Sequence, residues 1–165
     1  MKEEVVHPLE VLKDKDSKIL ILGSFPSVKS REMNFFYMNK TNRFYKVLSS
    51  LLNVDLYSIS IEEKKNILLK NHIALYDVVR RCRIHGSSDS SIEIEEYCDI
   101  YEVLKNTNIN RIYLNGSLAY SLFVKKYPEL SNISYKLPST SSANAKMKLE
   151  DLVSSWSIIL DELRK

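Results

Sequence analysis

Cysteine is scarce in this sequence, and its scarcity excludes several kinds of metal and redox site. Cys82 and Cys98 are the two cysteines of the chain, and they do not form a Cys-x-x-Cys pair. The sequence therefore has neither a zinc-ribbon nor a thioredoxin motif. Two cysteines also cannot supply the four thiolates of an iron–sulfur cluster. We expect two free thiols, as in a reducing cytoplasm.

Long apolar runs are absent as well. No run approaches the roughly 18 apolar residues that a membrane-spanning helix requires. Residues 1–10 are charged and lack the apolar centre of a secretory signal peptide. We therefore expect a cytoplasmic protein that has no membrane partner.

The motifs of several enzyme classes are missing too. The chain has three glycines, and they are not arranged as a Walker loop or a dinucleotide-binding fingerprint. Its three histidines lack the spacing of metal ligands, so we expect no metal site. No nucleophile elbow is present, which argues against a Ser-His-Asp hydrolase.

What remains is the composition of an ordinary globular protein. The 165 residues are 44% hydrophobic and 27% charged, which predicts one domain over 1–165 with a core that needs no disulfide. The formal net charge of +3 permits a DNA partner without requiring one.

Short apolar strands alternate with amphipathic helices along the chain. This alternation predicts an α/β fold with a parallel sheet and helices on both faces. The apolar run at 18–22 is typical of a buried strand, and Thr41 or Asn42 can cap a helix that reaches Leu52. The other expected elements are a helix at 61–71, a strand at 72–79, a helix at 93–106, a strand at 111–114, a helix ending near Tyr127, a strand at 133–137 and a helix at 148–163.

Polar residues follow the predicted strands. In a parallel α/β sheet, ligands bind beyond the carboxyl ends of the strands. Four such ends are recognisable, at 23–27, 77–81, 115–117 and 137–144. The long segment 23–40 has no clear periodicity, which is typical of functional loops. We therefore expect a ligand site at this edge of the sheet.

The first two segments each have a functional and a plain structural interpretation. Residues 23–27 form either a turn that binds a phosphate or a base edge, or an ordinary strand end. Asn42, Arg43 and Phe44 could read a base, bind phosphate and stack. They could equally be a helix cap, a solvated cation and a core ring.

The later segments are equally ambiguous. The hydroxyl-rich loop at 137–144 could hold phosphate oxygens or be a solvated loop. Arg80 and Arg81 could bind the DNA backbone or be solvated. Asp77 and Asp89 could act as acids or bases, or merely cap local structure.

Taken in order, these segments resemble the uracil-DNA glycosylase superfamily, and most of all its hypoxanthine-DNA glycosylase branch. No single motif is strong, but the segments occur in the same order as the five motifs of the family on one α/β pattern, within residues 18–146. The segments are Gly-Ser-Phe-Pro-Ser from 23, Thr-Asn-Arg-Phe-Tyr from 41, Ala-Leu-Tyr-Asp-Val-Val from 74, Gly-Ser-Ser-Asp from 86, Leu-Asn-Gly from 114 and Leu-Pro-Ser-Thr-Ser-Ser-Ala-Asn from 137.

The resemblance implies a three-layer α/β/α sandwich around a four-stranded parallel sheet. It also implies that a base flipped out of DNA is released by cleavage of its N-glycosidic bond, without metal or cofactor. We expect a monomer that acts on DNA containing a deaminated base, most consistently hypoxanthine. Alternatives are another base such as uracil or xanthine, a non-catalytic nucleic-acid or nucleotide-binding module, and a phosphate-handling α/β enzyme.

The resemblance also implies roles for particular residues. Asn42 corresponds to the catalytic amide of this branch, and Ser24 stands at or near a position where other branches hold an acid or amide. The residues expected to bind the base are Gly23, Phe25, Pro26, Phe44 and Asn115, with Phe44 stacking on it. Those expected to bind DNA are Arg43, Arg80, Arg81, Pro138, Ser139, Thr140, Ser141 and Asn144. We further expect a basic cleft and rim.

The sequence departs from the family pattern in several places. Ser27 replaces a glycine, Thr41 stands in a segment that usually carries Pro-Arg, and Ser142 replaces a proline. Tyr45 and Tyr76 replace tryptophans, and these aromatic exchanges should preserve packing. The first three changes bear on substrate preference and on the geometry of the 137–144 loop.

Overall fold

The computed structural model of the protein describes residues 2–165. In chain order its strands and α-helices are β1 (Glu3–Val6), β2 (Ile19–Gly23), α1 (Val28–Met33), α2 (Phe44–Leu52), α3 (Ile61–Lys70), β3 (Ile73–Asp77), β4 (Val79–Ile84), β5 (Glu93–Tyr97), α4 (Ile100–Leu104), β6 (Arg111–Asn115), α5 (Ser117–Lys126), β7 (Ser134–Leu137), α6 (Leu149–Trp156) and α7 (Ile159–Leu163). Short 3₁₀ turns at Asp89–Ser91 and Pro128–Ile133 precede β5 and β7.

The predicted four-stranded parallel sheet is confirmed, with the strand order β3-β2-β6-β7. Within it, Ile21 of β2 lies opposite Leu75 of β3 and Tyr113 of β6. All residues of β2 are buried, because strands pair on both sides of it and helices cover both faces. This double burial explains why its sequence is a continuous apolar run rather than an alternating one.

The helices lie in two layers, one on each face of the parallel sheet. Alternate residues of β2 point to opposite faces, as the pleat of a strand requires. Ile19 and Ile21 pack in a core cluster with α2, α3, α6 and α7, which includes Trp156. Leu20 and Leu22 pack in a second cluster with α4 and α5. The three-layer arrangement expected from the resemblance is therefore present.

A second sheet, which the sequence analysis did not predict, is antiparallel and has the order β1-β4-β5. The helix expected at 93–106 is wrong over 93–97, because these residues form β5 and pair with β4. The alternation of Glu93, Ile94 and Glu95 suits an edge strand with one apolar face. Helix begins only at Ile100, where the Asp99 side chain accepts a hydrogen bond from the N–H of Glu102.

The helices are short, with 5 to 10 residues each. The helix expected at 148–163 is divided, because residues 157–158 form a turn between α6 and α7. Across residues 2–165, no helix has the length and apolar character to cross a membrane.

Candidate active site

A cavity of about 440 Å³ opens at the carboxyl ends of the parallel strands. Its volume lies within the range of small-molecule sites. Its walls come from 23–27 after β2, much of 36–42, the 87–90 segment between β4 and β5, and 139–143 after β7, together with Ser30, Asp77 and Asn115. The strand ends singled out in the sequence thus converge on one site, as the parallel topology predicts.

Gly23 and Asp77 form the floor of this cavity. A Cβ atom on Gly23 would lie 2.6 Å from Oδ1 of Asp77 and 3.2 Å from the Tyr37 hydroxyl, so only glycine lets these groups approach so closely. The other carboxylate oxygen of Asp77 lies 2.8 Å from Nε2 of His7. Since a carboxylate only accepts, Nε2 is the donor, while Nδ1 of His7 lies 3.2 Å from the carbonyl oxygen and 3.3 Å from the N–H of Leu9.

Tyr37 lines the cavity and was not identified from the sequence. Its ring stacks on Phe44 with 3.9 Å between centroids, and its backbone has the left-handed φ of 57°. Its hydroxyl is buried and has no hydrogen-bond partner of normal geometry among residues 2–165. Burial raises the pKa of this hydroxyl, and the negative charge of the nearby Asp77 raises it further. The neighbouring side-chain amide of Asn115 lowers the pKa.

Phe44 does not line the cavity, which corrects its expected role as the ring that stacks on the base. Its side chain is fully buried, between Tyr37 on one side and Trp156 at 5.9 Å. The helical spacing of the apolar residues in α2 predicts a core position for Phe44. The structure agrees with that interpretation, because the first turn of α2 packs into the core cluster that contains Ile19 and Ile21. Tyr37 therefore presents the aromatic wall, and Phe44 supports it from behind.

Asn42 and Asn115 are joined through Thr140, whose side chain is fully buried. Nδ2 of Asn115 donates to the Thr140 hydroxyl at 3.0 Å, and that hydroxyl donates to Oδ1 of Asn42 at 2.8 Å. Oδ1 of Asn42 also accepts from the N–H of Phe44 at 2.9 Å and so fixes the turn before α2, whose N-cap residue is Arg43. Because both donors bind the oxygen, the amide NH₂ of Asn42 is the end left for the cavity.

Arg43 does not contact the cavity, and the expectation that it binds DNA phosphate is corrected. Its guanidinium donates to the carbonyls of Ser141 at 2.9 Å and Asn144 at 3.0 Å, and to that of Met147. Its own N–H donates to the Thr140 carbonyl at 2.9 Å. Arg43 thus fastens the 139–147 loop to the start of α2.

Arg80 and Arg81 lie in β4 and are not brought to the cavity. Nε of Arg80 pairs with Glu96 at 3.0 Å, and Arg81 pairs with Glu95 and Glu96 at 3.4 Å. The expectation of a basic cleft is also wrong for the cavity itself, whose charged lining residues within 2–165 are Asp77 and Asp89.

The other predicted residues divide into two groups. The first group lines the cavity and consists of Ser24, Phe25, Pro26, Ser139 and Ser141.

Asp89 also lines the cavity. Partial burial raises the pKa of its carboxyl group, and the hydrogen bond with the Ser24 hydroxyl lowers it.

Pro138 and Asn144 act within the protein rather than in the cavity wall. The Pro138 carbonyl accepts from Nε1 of Trp156 at 2.9 Å, and the Asn144 amide donates to the Ser139 carbonyl at 3.0 Å. Both contacts hold the ends of the loop after β7.

Two departures from the family pattern contact each other. The Ser142 hydroxyl donates to the Thr41 hydroxyl at 3.1 Å, so the two changes form one new contact between the 139–143 loop and the segment before α2. Tyr45 remains in the core, and its hydroxyl donates to the Phe36 carbonyl at 2.6 Å. Tyr76 packs 4.8 Å from the His7 ring, so both aromatic exchanges keep their packing.

The fold is that of the uracil-DNA glycosylase superfamily. A solution NMR structure of a candidate uracil DNA glycosylase from Methanosarcina acetivorans superimposes with a TM-score of 0.83. The match covers 98% of this chain and 100% of that protein, at 27% sequence identity. No family model matches the chain.

Sequence relatives define the family more closely. A hypoxanthine DNA glycosylase of Methanosarcina acetivorans is 30% identical over 152 residues, which cover 88% of this chain and 92% of that protein. A hypoxanthine DNA glycosylase of Methanosarcina barkeri is 32% identical over 105 residues, which cover 62% of this chain and 66% of that protein. The chain belongs to the hypoxanthine DNA glycosylase family, and it is a DNA glycosylase, a hydrolase of N-glycosyl bonds.

Proposed function

We propose that this protein flips hypoxanthine out of DNA and hydrolyses its N-glycosidic bond, leaving an abasic site. Hypoxanthine is the base named for both sequence relatives. The observation that carries the proposal is the fixed amide of Asn42, whose NH₂ group is left to the cavity by the bonds to its oxygen.

The amide suits the chemistry of base release. As the bond between the sugar and the base breaks, negative charge develops on the base. Donors held at that position stabilise the transition state more than the ground state, and they need no reorganisation as the charge appears. Asn42 supplies such a donor, and Thr140 and Asn115 fix the direction in which it points.

The shape of the cavity suits a flipped base. Phe25 and Phe36 line the cavity with aromatic rings beside Tyr37, and stacking on such rings is how flipped bases are commonly held. The volume of about 440 Å³ admits a purine.

The hydroxyls of Ser139, Ser141 and Ser142 at the mouth of the cavity are suited to the DNA backbone. All of the walls come from one chain, which supports action as a monomer. We propose a cytoplasmic location because the substrate is DNA.

The test is cleavage of matched DNA duplexes that carry hypoxanthine, uracil, xanthine or adenine at one position. Hypoxanthine should be released fastest, and adenine should remain intact. Uracil is the second candidate, because the structural neighbour is described as a candidate uracil DNA glycosylase. Faster release of uracil than of hypoxanthine would favour that candidate. Absence of release from every duplex would contradict the proposed function.

Thr140 provides a further test of how the amide is held. Thr140→Val nearly preserves side-chain size but removes the hydroxyl that joins Asn115 to Asn42. We expect the single-turnover rate to fall at least about tenfold, because a buried polar group loses its partner. Thr140→Ser keeps the hydroxyl and should stay close to the parent rate. Equal rates for the valine and serine variants would show that the hydroxyl has no role in catalysis.

A further inference from the structure

The floor of the cavity presents an acceptor and a donor side by side. Oδ2 of Asp77 is bound to His7, which leaves Oδ1 facing the cavity. The Tyr37 hydroxyl is buried there and lacks a partner of normal geometry within residues 2–165. Both oxygens lie within 3.2 Å of the point where Gly23 would carry Cβ. Both residues line the cavity, so the two oxygens belong to the same part of its floor.

The two groups differ in what they can offer a ligand, because only the tyrosine hydroxyl can donate a hydrogen bond. An ionised carboxylate can only accept hydrogen bonds. Burial and the neighbouring carboxylate raise the pKa of the Tyr37 hydroxyl, so it keeps its proton and can donate. A buried donor without a partner is costly, and a ligand acceptor would remove that cost.

We propose that Asp77 and Tyr37 recognise the lactam edge that deamination creates on a base, which rests on the proposed function and extends it. Deamination replaces an exocyclic amino group by a carbonyl and turns the adjacent bare ring nitrogen into an N–H. In hypoxanthine, Asp77 accepts the N1–H and the Tyr37 hydroxyl donates to the 6-carbonyl. Adenine in the same position presents a bare N1 to the carboxylate and an amino group to the hydroxyl. The contact with the carboxylate is then mismatched, because neither partner offers a proton, and the hydroxyl loses its acceptor.

His7 is the positioning residue for this recognition. Its Nε2–H holds one carboxylate oxygen, and its Nδ1 lies 3.3 Å from the Leu9 N–H. The ring is packed by Phe25 at 5.9 Å and Tyr76 at 4.8 Å. The imidazole is therefore fixed, and it fixes which oxygen of Asp77 faces the base.

The arrangement makes Asp77→Asn a sharp test. With Nε2 of His7 as the donor, the new amide turns its oxygen to His7 and its NH₂ to the base, so a donor replaces the acceptor. Binding would be measured with duplexes that carry an uncleavable 2′-fluorinated nucleotide of hypoxanthine or of 1-deazahypoxanthine, which lacks the N1–H. The parent protein should prefer hypoxanthine by at least about tenfold, since a site built around one N–H rejects an analogue without it. In Asp77→Asn this preference should disappear.

Tyr37→Phe tests the donor separately and keeps the aromatic ring. It should reduce the preference for hypoxanthine over purine, which lacks both the 6-carbonyl and the N1–H, to the part that Asp77 supplies, but retain the preference over 1-deazahypoxanthine. Asp16→Asn is the matched control, because Asp16 is an exposed carboxylate in a turn, and both preferences should persist in it. If thermal melting shows that Asp77→Asn is unfolded, the binding preferences of Tyr37→Phe still test the proposal.

Unchanged preferences in the folded variants would overturn the proposal. Cleavage of the natural hypoxanthine duplex by the parent protein is scored on its own. A protein that prefers the lactam in binding but releases no base would contradict the proposed function and leave the recognition standing.

Discussion

Replacing Asn42 by alanine should lower the single-turnover rate of hypoxanthine release at least about a hundredfold, which is typical for the loss of one transition-state donor. The NH₂ of Asn42 is the group that the hydrogen-bond network leaves to the cavity. DNA affinity should change little, because contacts to the phosphate backbone dominate it. Single-turnover cleavage and duplex binding, measured on the same preparation, test both expectations.

The alanine variant also removes a cap-like contact at the start of α2, because Oδ1 of Asn42 accepts from the Phe44 N–H. Asn42→Asp separates the two roles. Aspartate caps a helix about as well as asparagine and can still accept from Thr140, so melting should stay near that of the parent protein. It turns a negative oxygen instead of an NH₂ toward the departing base, so the rate should still fall. A normal rate in Asn42→Asp would mean that Asn42 serves only as a cap.

Phe44→Ala should have the largest effect on stability among the variants considered. Removing a fully buried phenylalanine costs roughly 3–5 kcal/mol, and Phe44 is fully buried against Tyr37 and Trp156. For a protein of this size, each kcal/mol lowers the melting temperature by roughly 2–4 °C. The melting temperature should therefore fall by about 10 °C.

Phe44→Leu is the matched control, because it keeps most of the apolar volume and loses the stacking under Tyr37. It should cost much less stability than alanine and weaken hypoxanthine binding modestly. If Phe44→Ala melted like the parent protein and only lost affinity for the flipped base, Phe44 would belong to the cavity wall and its placement in the core would be wrong.

The parallel sheet was predictable because its strands are continuous apolar runs with polar ends. The β5 segment was not, because Ile94, Tyr97 and Tyr101 also fit a helical spacing, and only pairing with β4 decides between the two. The sequence also placed Arg80 and Arg81 in a loop after a strand, whereas they lie within β4. Their partners, Glu95 and Glu96, lie on a strand that the sequence did not reveal.

The candidate site was predictable only in part. The family motifs identified Asn42 and the loop after β7, and the strand ends explain why they meet. They could not reveal that Arg43 faces loop carbonyls or that Phe44 faces the core. Tyr37 lies in a segment without periodicity. Nothing in the sequence distinguishes it from the preceding Phe35 and Phe36, and its left-handed backbone conformation could not be predicted.

The His7–Asp77 contact joins residues that are 70 positions apart in the chain. Closing so long a loop carries an entropic cost that must be met before the contact forms. β1 pairs only with β4 and contributes no strand to the parallel sheet. The segment that holds Asp77 in place therefore lies outside the parallel sheet, so a loss of β1 would open the floor of the cavity without removing a strand from that sheet.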